Sequence, residues 1–450
     1  MTGGTSVLEK TARPDHWATA FEALLAGDAA GPEWLVQRRR AAWAEFAESG
    51  FPTTHQEAWR FTSVETIAKG TFVAPAAASV EQARLDPFLV GAEGRITAVV
   101  VNGRFDSALS QTANLPDGVV VRSLAEALRA GDPVVEGHLG RYTETSENPF
   151  ARLNTAFMTD GVFVHVGRNV SLDRPIQLVY VTTGGTPTVT HPRTLVVAEP
   201  GSTAEVIETY AGLDDVAYWT NAATEVVVGE DANIATCRIQ RESERAFQTA
   251  ITQSSQERAS IYAIVAVVLG AALSRHDIKA VLNGPGAEAT LNGLSILRDR
   301  QHADHHTTIE HAQPHCNSWE YFNGIYDDRS HGVFNGRIVV RPGAQRTDSK
   351  QTNNNLLLTE DARADSQPQL EIYADDVKCT HGATLGPMDP RAVFYLRSRG
   401  LDEAAARSLL TYGFGVEILA YVTDDALREQ LDEVIHARLE EGARRRGAAA

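Results

Sequence analysis

The chain has 450 residues, a length for two or three domains or for one long repeat-built domain with appendages. Its 41 basic and 58 acidic residues give a formal net charge of −17, so nucleic acid and anionic membranes would be approached through a repulsive field and are excluded as partners. At 43% hydrophobic and 22% charged residues, the composition is that of a folded protein, not a disordered one.

The stretch from Met1 to Ala20 lacks a basic start followed by an apolar core. The longest apolar stretch, Ile261 to Leu273, falls well short of the roughly 20 residues that a spanning helix needs. Cys237, Cys316 and Cys379 are odd in number and far apart, which argues against a disulfide framework and for a reducing cytoplasm. No CxxC pair occurs, so a four-thiolate metal or cluster site built by this chain alone is not expected.

The N-terminal stretch, to about Lys69, reads as helical. Pro32 opens PEWLVQRRRAAWAEFAESG, with proline tolerated in a first turn and Gly50 as the stop. Trp34, Leu35, Ala42, Trp43 and Phe46 recur near helical spacing and form a packing stripe. Pro52 opens PTTHQEAWRFTSV. The run ITAVVVNGRF, Ile96 to Phe105, is β-branched and closes on Asn102-Gly103, a hairpin turn pair. Residues 106–150 give mixed signals.

From Gly161 short β-rich runs follow one another, among them VFVHV, IQLVYVTT, TLVVAE, AEVIETY, IYAIVAVVL and RIVVRP. Turns rich in Gly, Asn, Asp and Pro separate them. Ala204, Ala232, Ala259 and Ala287 each adjoin such a turn at a nearly constant spacing of about 28 residues, and Ala344 lies about two such spacings on. A fixed period of this size marks a solenoid, in which each unit buries its apolar face against its neighbours. With no helix inside the period, the fold class is mainly β: a parallel β-helix of about eight coils, on the order of 40 Å long at ~4.8 Å per coil. Asn353–Asn355 suits a ladder inside that stack.

Asp389-Pro390 starts a helix that Gly400 stops. Asp402 caps a second apolar-periodic segment to about Val422, and Asp424-Asp425 starts a third, charged helix to about Glu441. The chain thus divides into an N-terminal helical and mixed region (1–160), a β-helix core (161–388) and a C-terminal helical domain (389–450). The last suits either capping the open end of the solenoid or docking a partner.

The phosphate loop GxxxxGK[ST], the GxSxG elbow and the HExxH zinc motif are all missing, so ATP hydrolysis by this chain alone is not expected. Gly413-Phe414-Gly415 lacks the third glycine of a dinucleotide fingerprint. The densest reactive chemistry is His302-Ala-Asp-His-His-Thr-Thr-Ile-Glu-His-Ala-Gln-Pro-His-Cys316. His302, His306, His311, His315 and Cys316 are candidate metal ligands there, since imidazole and thiolate suit iron, zinc and copper. Strand alternation keeps His305 and His306 off one ion, while His302 with His306, or His311 with His315, could share a side. A ladder of hydrogen-bonded histidines fits the segment as well. On the functional side stands a stand-alone β-helical metal-dependent enzyme using His302, Asp304, His306 and Glu310.

Cys379 and His381 form a smaller constellation. Two apart on an extended segment, they project from one face, and Lys378 beside the thiol could lower its pKa. Two ligands are half of a tetrahedral shell, so a metal or cluster site here needs donors from a second chain.

Several long stretches are similar to one known family: DHHTTIEHAQPHCNS, GVFNGRIVVRPGAQRTDSKQTNNNLLLTEDA, PQLEIYADDVKCTHGATLG and FYLRSRGLDEAAARSLLTYGF, with PTTHQEAWRFTSV, VVVNGRF and NPFARLNTAFMTDGVFVHV upstream. They resemble the SufB/SufD family of iron–sulfur cluster assembly proteins over most of the chain. VKCTHGATLG resembles the SufD branch, with Thr380 where serine is frequent. The resemblance implies a right-handed parallel β-helix flanked by helical regions. It also implies a non-catalytic scaffold subunit of a SufB–SufC–SufD complex. A SufB-like paralogue would pair with it through the β-helix, and a SufC-like ABC-type ATPase would bind the C-terminal helices. Its Cys379 and His381 would lie near the interface with the paralogue, sharing an iron–sulfur cluster transiently, with none held tightly by the isolated chain. A homodimer of the chain alone is the remaining alternative.

Overall fold

The computed structural model describes residues 15–91, 94–113, 115–145 and 147–449. The part of the helical N-terminal stretch before Asp15 lies outside the described residues. The helix expected after Pro32 is Glu33–Ser49, with Pro32 at its N-cap and Gly50 ending it at φ 69°. Leu35 and Phe46 of the stripe are buried, and so is Arg39, whose guanidinium donates to the Ala29, Ala30 and Ala156 carbonyls.

β1 (Ile96–Val101) and β2 (Arg104–Phe105) make the expected hairpin, with Asn102 and Gly103 both at positive φ. β3 (Val119–Ser123) pairs antiparallel with β4 (Gly161–Val166). The stack continues with β5 (Ile176–Thr182), β6 (Val189–Thr190), β7 (Arg193–Ala198), β8 (Thr203–Gly212), β9 (Trp219–Val228), β10 (Asn233–Arg241), β11 (Phe247–Gln256) and β12 (Ile261–Val268). Then come β13 (Leu273–Leu282), β14 (Glu288–Leu297), β15 (His302–His311), β16 (Asn317–Tyr326), β17 (His331–Val340), β18 (Asp348–Leu357), β19 (Arg363–Ile372) and β20 (Lys378–Pro387).

The chain visits two sheets in turn. The first runs β2-β1-β5-β8-β10-β12-β14-β16-β18-β20, the second β19-β17-β15-β13-β11-β9-β7-β4-β3. All neighbours from β5 to β20 pair in parallel, giving a parallel β-solenoid of about eight turns. Its first rung, β1, comes from the N-terminal region and pairs in parallel with β5.

The period holds, but the alanines that suggested it do not all share one column. In register, Thr203, Asn233, Ile261, Glu288, Asn317, Asp348 and Lys378 stand above one another. The coils between them are unequal, shortest from Ile261 to Glu288 and longest from Asn317 to Asp348. The repeated feature is a corner two positions before each of these residues except the last. Gly201, Asp231, Ala259, Gly286, His315 and Arg346 all take positive φ there, and each amide donates to a carbonyl of the next corner. A small buried residue follows: Ser202, Ala232, Ser260, Ala287, Cys316 or Thr347.

The lumen holds an apolar core through Val164, Leu178, Val206, Ile234, Ile264, Leu291 and Ile309. Both outer faces are covered as well. Trp17, Phe21, Phe46, Phe51, Trp59, Phe150 and Phe157 pack around Trp219 and Ile251 on the second sheet. Ile418, Leu419, Leu427, Leu431 and Ile435 pack on Ile207, Ile239, Val267 and Leu294 of the first. Buried on two sides, the strands read as near-continuous apolar runs.

Asp389 and Asp402 cap helices Pro390–Ser398 and Glu403–Val416, Gly400 between them has φ 99°, and Asp424 accepts from the Leu427 N–H. A 3₁₀ segment, Glu417–Tyr421, continues the second, and the third runs past Glu441 to Ala449. These helices lie along a sheet face, and among the described residues none caps the end of the solenoid. Among the described residues no helix is long and apolar enough to cross a membrane.

Candidate functional site at the open end of the solenoid

The two sheets end on β19 and β20, each with one neighbour. Side chains that would point into the lumen under a further coil therefore face the outside. On β20 these are Cys379, His381, Ala383 and Leu385, in register above Ser349, Gln351, Asn353 and Asn355 of β18. Leu385 is 54% exposed toward the far end of β20, and Ile372 and Tyr373, where β19 ends, are exposed as well.

Cys379 and His381 share this inward-facing row, as their spacing requires. They differ in surroundings. His381 is exposed, whereas Cys379 is half-buried against the cluster of Ile338, Val340, Ala344 and Leu370. Burial, with Asp348 adding its charge, pushes the Cys379 thiol up. The lowering expected from Lys378 is thus overturned, because strand alternation sends the lysine to the opposite face. A raised thiol stays protonated until an electropositive partner arrives, such as iron or a cationic group of another chain.

The histidine-rich segment is β15, and alternation splits it. His305 and His311 face the lumen, where their Nε2 atoms meet Ser295 Oγ at 3.2 Å and Ser318 Oγ at 2.9 Å. Burial holds both well below the ordinary histidine range, at about 4. His302, Asp304 and His306 face outward. Asp304 is buried and accepts from Thr62 Oγ1 at 2.5 Å and Arg275 Nη1 at 2.9 Å, with His306 Nε2 at 3.1 Å. Its charge is taken up by Arg275, which also stacks on Trp59 with its guanidinium carbon 3.6 Å from the ring centroid. Glu310 is paired to Arg341 and Lys279.

His311 and His315 do not share a side: the first is inside, the second is an exposed left-handed corner residue. Cys316, fully buried, is the small residue after that corner, and its thiol donates to the Gly284 carbonyl at 3.4 Å. Among the described residues no three His, Cys, Asp or Glu side chains are placed to hold a metal ion. The metal-enzyme alternative built on His302, Asp304, His306 and Glu310 is corrected by this geometry. Of its two carboxylates one belongs to a buried ion pair and the other to surface arginine and lysine.

Two family descriptions match the chain: the SufBD protein N-terminal region over residues 22–178, and SUF system FeS cluster assembly, SufBD core domain, over residues 180–414. The chain belongs to the SufBD family. A SufBD family iron–sulfur cluster assembly protein of Synechocystis is 33% identical, over 90% of this chain and 91% of its own length. The iron–sulfur cluster assembly protein SufD of Escherichia coli is 30% identical over 89% and 92%, and that of Bacillus subtilis 26% over 91% and 94%. This SufBD chain therefore has a role in iron–sulfur cluster assembly.

In this SufBD chain the row beneath the two candidate donors escaped the sequence reading. Ser349 and Gln351 lie one coil below Cys379 and His381, and Ser318 and Glu320 one coil below those. The last coils are longer than the tight spacing of the alanines, so only the true register brings these residues together.

Proposed function

We propose that the chain is a non-catalytic scaffold subunit that pairs through the open end of its β-helix with a SufB-like paralogue. On this reading a SufC-like ATPase engages the C-terminal helices, and Cys379 and His381 supply half of a coordination shell that the paralogue completes around iron or a nascent cluster. The observation that carries it is the pair itself: two soft donors, two residues apart, on the exposed inward row of a terminal strand. The unpaired edges of β19 and β20 add main-chain donors and acceptors for a second chain, the geometry of strand addition.

Phe394, Tyr395 and Leu409 on the C-terminal helices, with Leu401 in the turn between two of them, are exposed and support the docking of the ATPase there. Its ATP-driven dimerisation would twist the pair of β-helices and open the shared site. Iron and sulfide are cargo in this reading. All three cysteines are free, which supports a reducing cytoplasm.

The test is co-expression of the three partners with His381→Ala, followed by iron and sulfide analysis of the purified complex. The expected result is loss of most of the bound iron at unchanged complex yield. Retention of the wild-type load removes His381 from the mechanism.

A further inference from the structure

Beneath each candidate donor runs its own buried polar chain. Under His381, Gln351 and Glu320 follow in one inward column, 1% and 2% exposed. Gln351 Nε2 donates to Glu320 Oε2 at 2.5 Å. That bond fixes the amide with its nitrogen toward the coil below and its oxygen away from it. Gly336 on the facing sheet leaves the room this needs, since a Cβ there would press on the Gln351 amide nitrogen. Gln351 Oε1 is nonetheless buried, and among the described residues it has no partner. An unmade bond at a buried carbonyl oxygen costs on the order of 1–3 kcal/mol, so it is a place where a donor belongs. The next residue in the column is His381, about 4.8 Å further along the stack.

Under Cys379 the column is Ser349 and Ser318. Ser318 Oγ bonds Ser349 Oγ at 2.7 Å and His311 Nε2 at 2.9 Å, all buried. Hydroxyls turn freely, so this chain presents either a lone pair to a thiol or an O–H to a thiolate.

We propose that Gln351 and Ser349 are positioning residues for the two donors. Gln351 Oε1 accepts one ring N–H of His381 and so fixes its tautomer, leaving the lone pair of the other nitrogen toward the open end. Ser349 holds the Cys379 sulfur by hydrogen bonding from below. Glu320, Ser318 and His311 anchor this layer. Such outer partners commonly orient histidine ligands and change metal affinity tenfold to a hundredfold when removed. The inference rests on the scaffold reading for its purpose, not for its geometry.

The experiment uses the full chain labelled with ¹⁵N-histidine, with His381→Ala identifying the resonance. The wild type is expected to show the ring nitrogen shifts of a single tautomer at His381, and Gln351→Leu an averaged mixture. The double exchange Glu320→Gln with Gln351→Glu keeps an amide–carboxylate bond and an acceptor below the ring, and is expected to restore the wild-type shifts. In the co-expressed complex, Gln351→Leu and Ser349→Ala are each expected to lower bound iron about tenfold at unchanged thermal midpoint. Identical His381 shifts in wild type and Gln351→Leu overturn the proposal, as does a Gln351→Leu spectrum that the exchange leaves unrestored. Shifts that move while His381→Ala retains its iron uphold the positioning and overturn the scaffold reading.

Discussion

Arg193 and Glu225 meet at 2.7 Å with neither side chain exposed. Glu225 sits on β9 and also accepts the backbone N–H groups of Gly140, Tyr142 and Thr143, tying the N-terminal region to the solenoid. Removing one member of such a pair strands the other's charge in the interior, a cost of about 3–5 kcal/mol. Glu225→Ala is expected to destabilise by that amount in urea unfolding, and Glu225→Gln by less, since the amide oxygen still accepts. Buried histidines set the acid limit. Burial holds His305 at about 4, below the ordinary value near 6.5, so the unfolded chain takes up the proton first. Its contribution is therefore complete above about pH 6.5 and lost as the pH falls toward 4, a change on the order of 3 kcal/mol. Glu242 and Glu320, pushed up to about 7 by burial, act the other way, losing stability as the pH rises from 4.5 to 7. The difference between variants isolates the histidine. Thermal melts of His305→Gln are expected to change less between pH 6.5 and 4 than those of the wild type. Equal slopes would show that the imidazole is already charged when folded.

At the scale of elements, the solenoid, its length and the three C-terminal helices were legible because each follows from local chemistry. Asp389, Asp402 and Asp424 accept the first-turn amides of their helices, and Asn102-Gly103 has the left-handed corner its turn requires. The column assignment was not legible. Ala204 lies inside a strand, Ala232 and Ala287 after a corner, and Ala259 in one, so equal spacing concealed unequal places. Coils of unequal length blur a sequence period while the hydrogen-bonded register absorbs each insertion in a turn. The same blur made His315 and Cys316 resemble ligands. They are a corner residue and its small neighbour, in the places of Gly286 and Ala287 one coil earlier. Cys316→Ala is accordingly expected to cost less than about 1.5 kcal/mol and to leave the metal content of the complex unchanged. Cys316→Leu would overpack the corner at a cost of about 1–3 kcal/mol. Calorimetry and metal analysis of the two variants check both statements, and a loss of metal in Cys316→Ala would return the thiol to the ligand set.

The molecule as a whole is asymmetric along its axis. One end begins with the β1–β2 hairpin and the antiparallel β3–β4 pair, while the other stops on β19 and β20, on which no strand of the described residues is stacked. A chain that terminates a parallel stack normally blunts the edge with charge, proline or a covering helix. Here the C-terminal helices pass along the first sheet instead, and Leu385 and Tyr373 stay exposed at the rim. The Lys378 N–H donates back to the Thr347 carbonyl. By alternation the N–H groups of Cys379, His381, Ala383 and Leu385 face the free edge. Proline at Leu385 therefore removes no bond of the chain's own ladder, yet deletes one donor offered to a second strand and sets a ring in its path. Leu385→Pro is expected to leave the thermal midpoint of the isolated chain within about 2 °C of wild type, because a few tenths of a kcal/mol move it little. On the proposed pairing, binding to a SufB-like paralogue should weaken at least about tenfold, as one lost bond and a steric clash together exceed about 1.4 kcal/mol. Titration calorimetry of the purified pair measures it. Unchanged affinity would mean that the paralogue seats elsewhere, and the row of Cys379 and His381 would then face solvent in the complex as it does in the isolated chain.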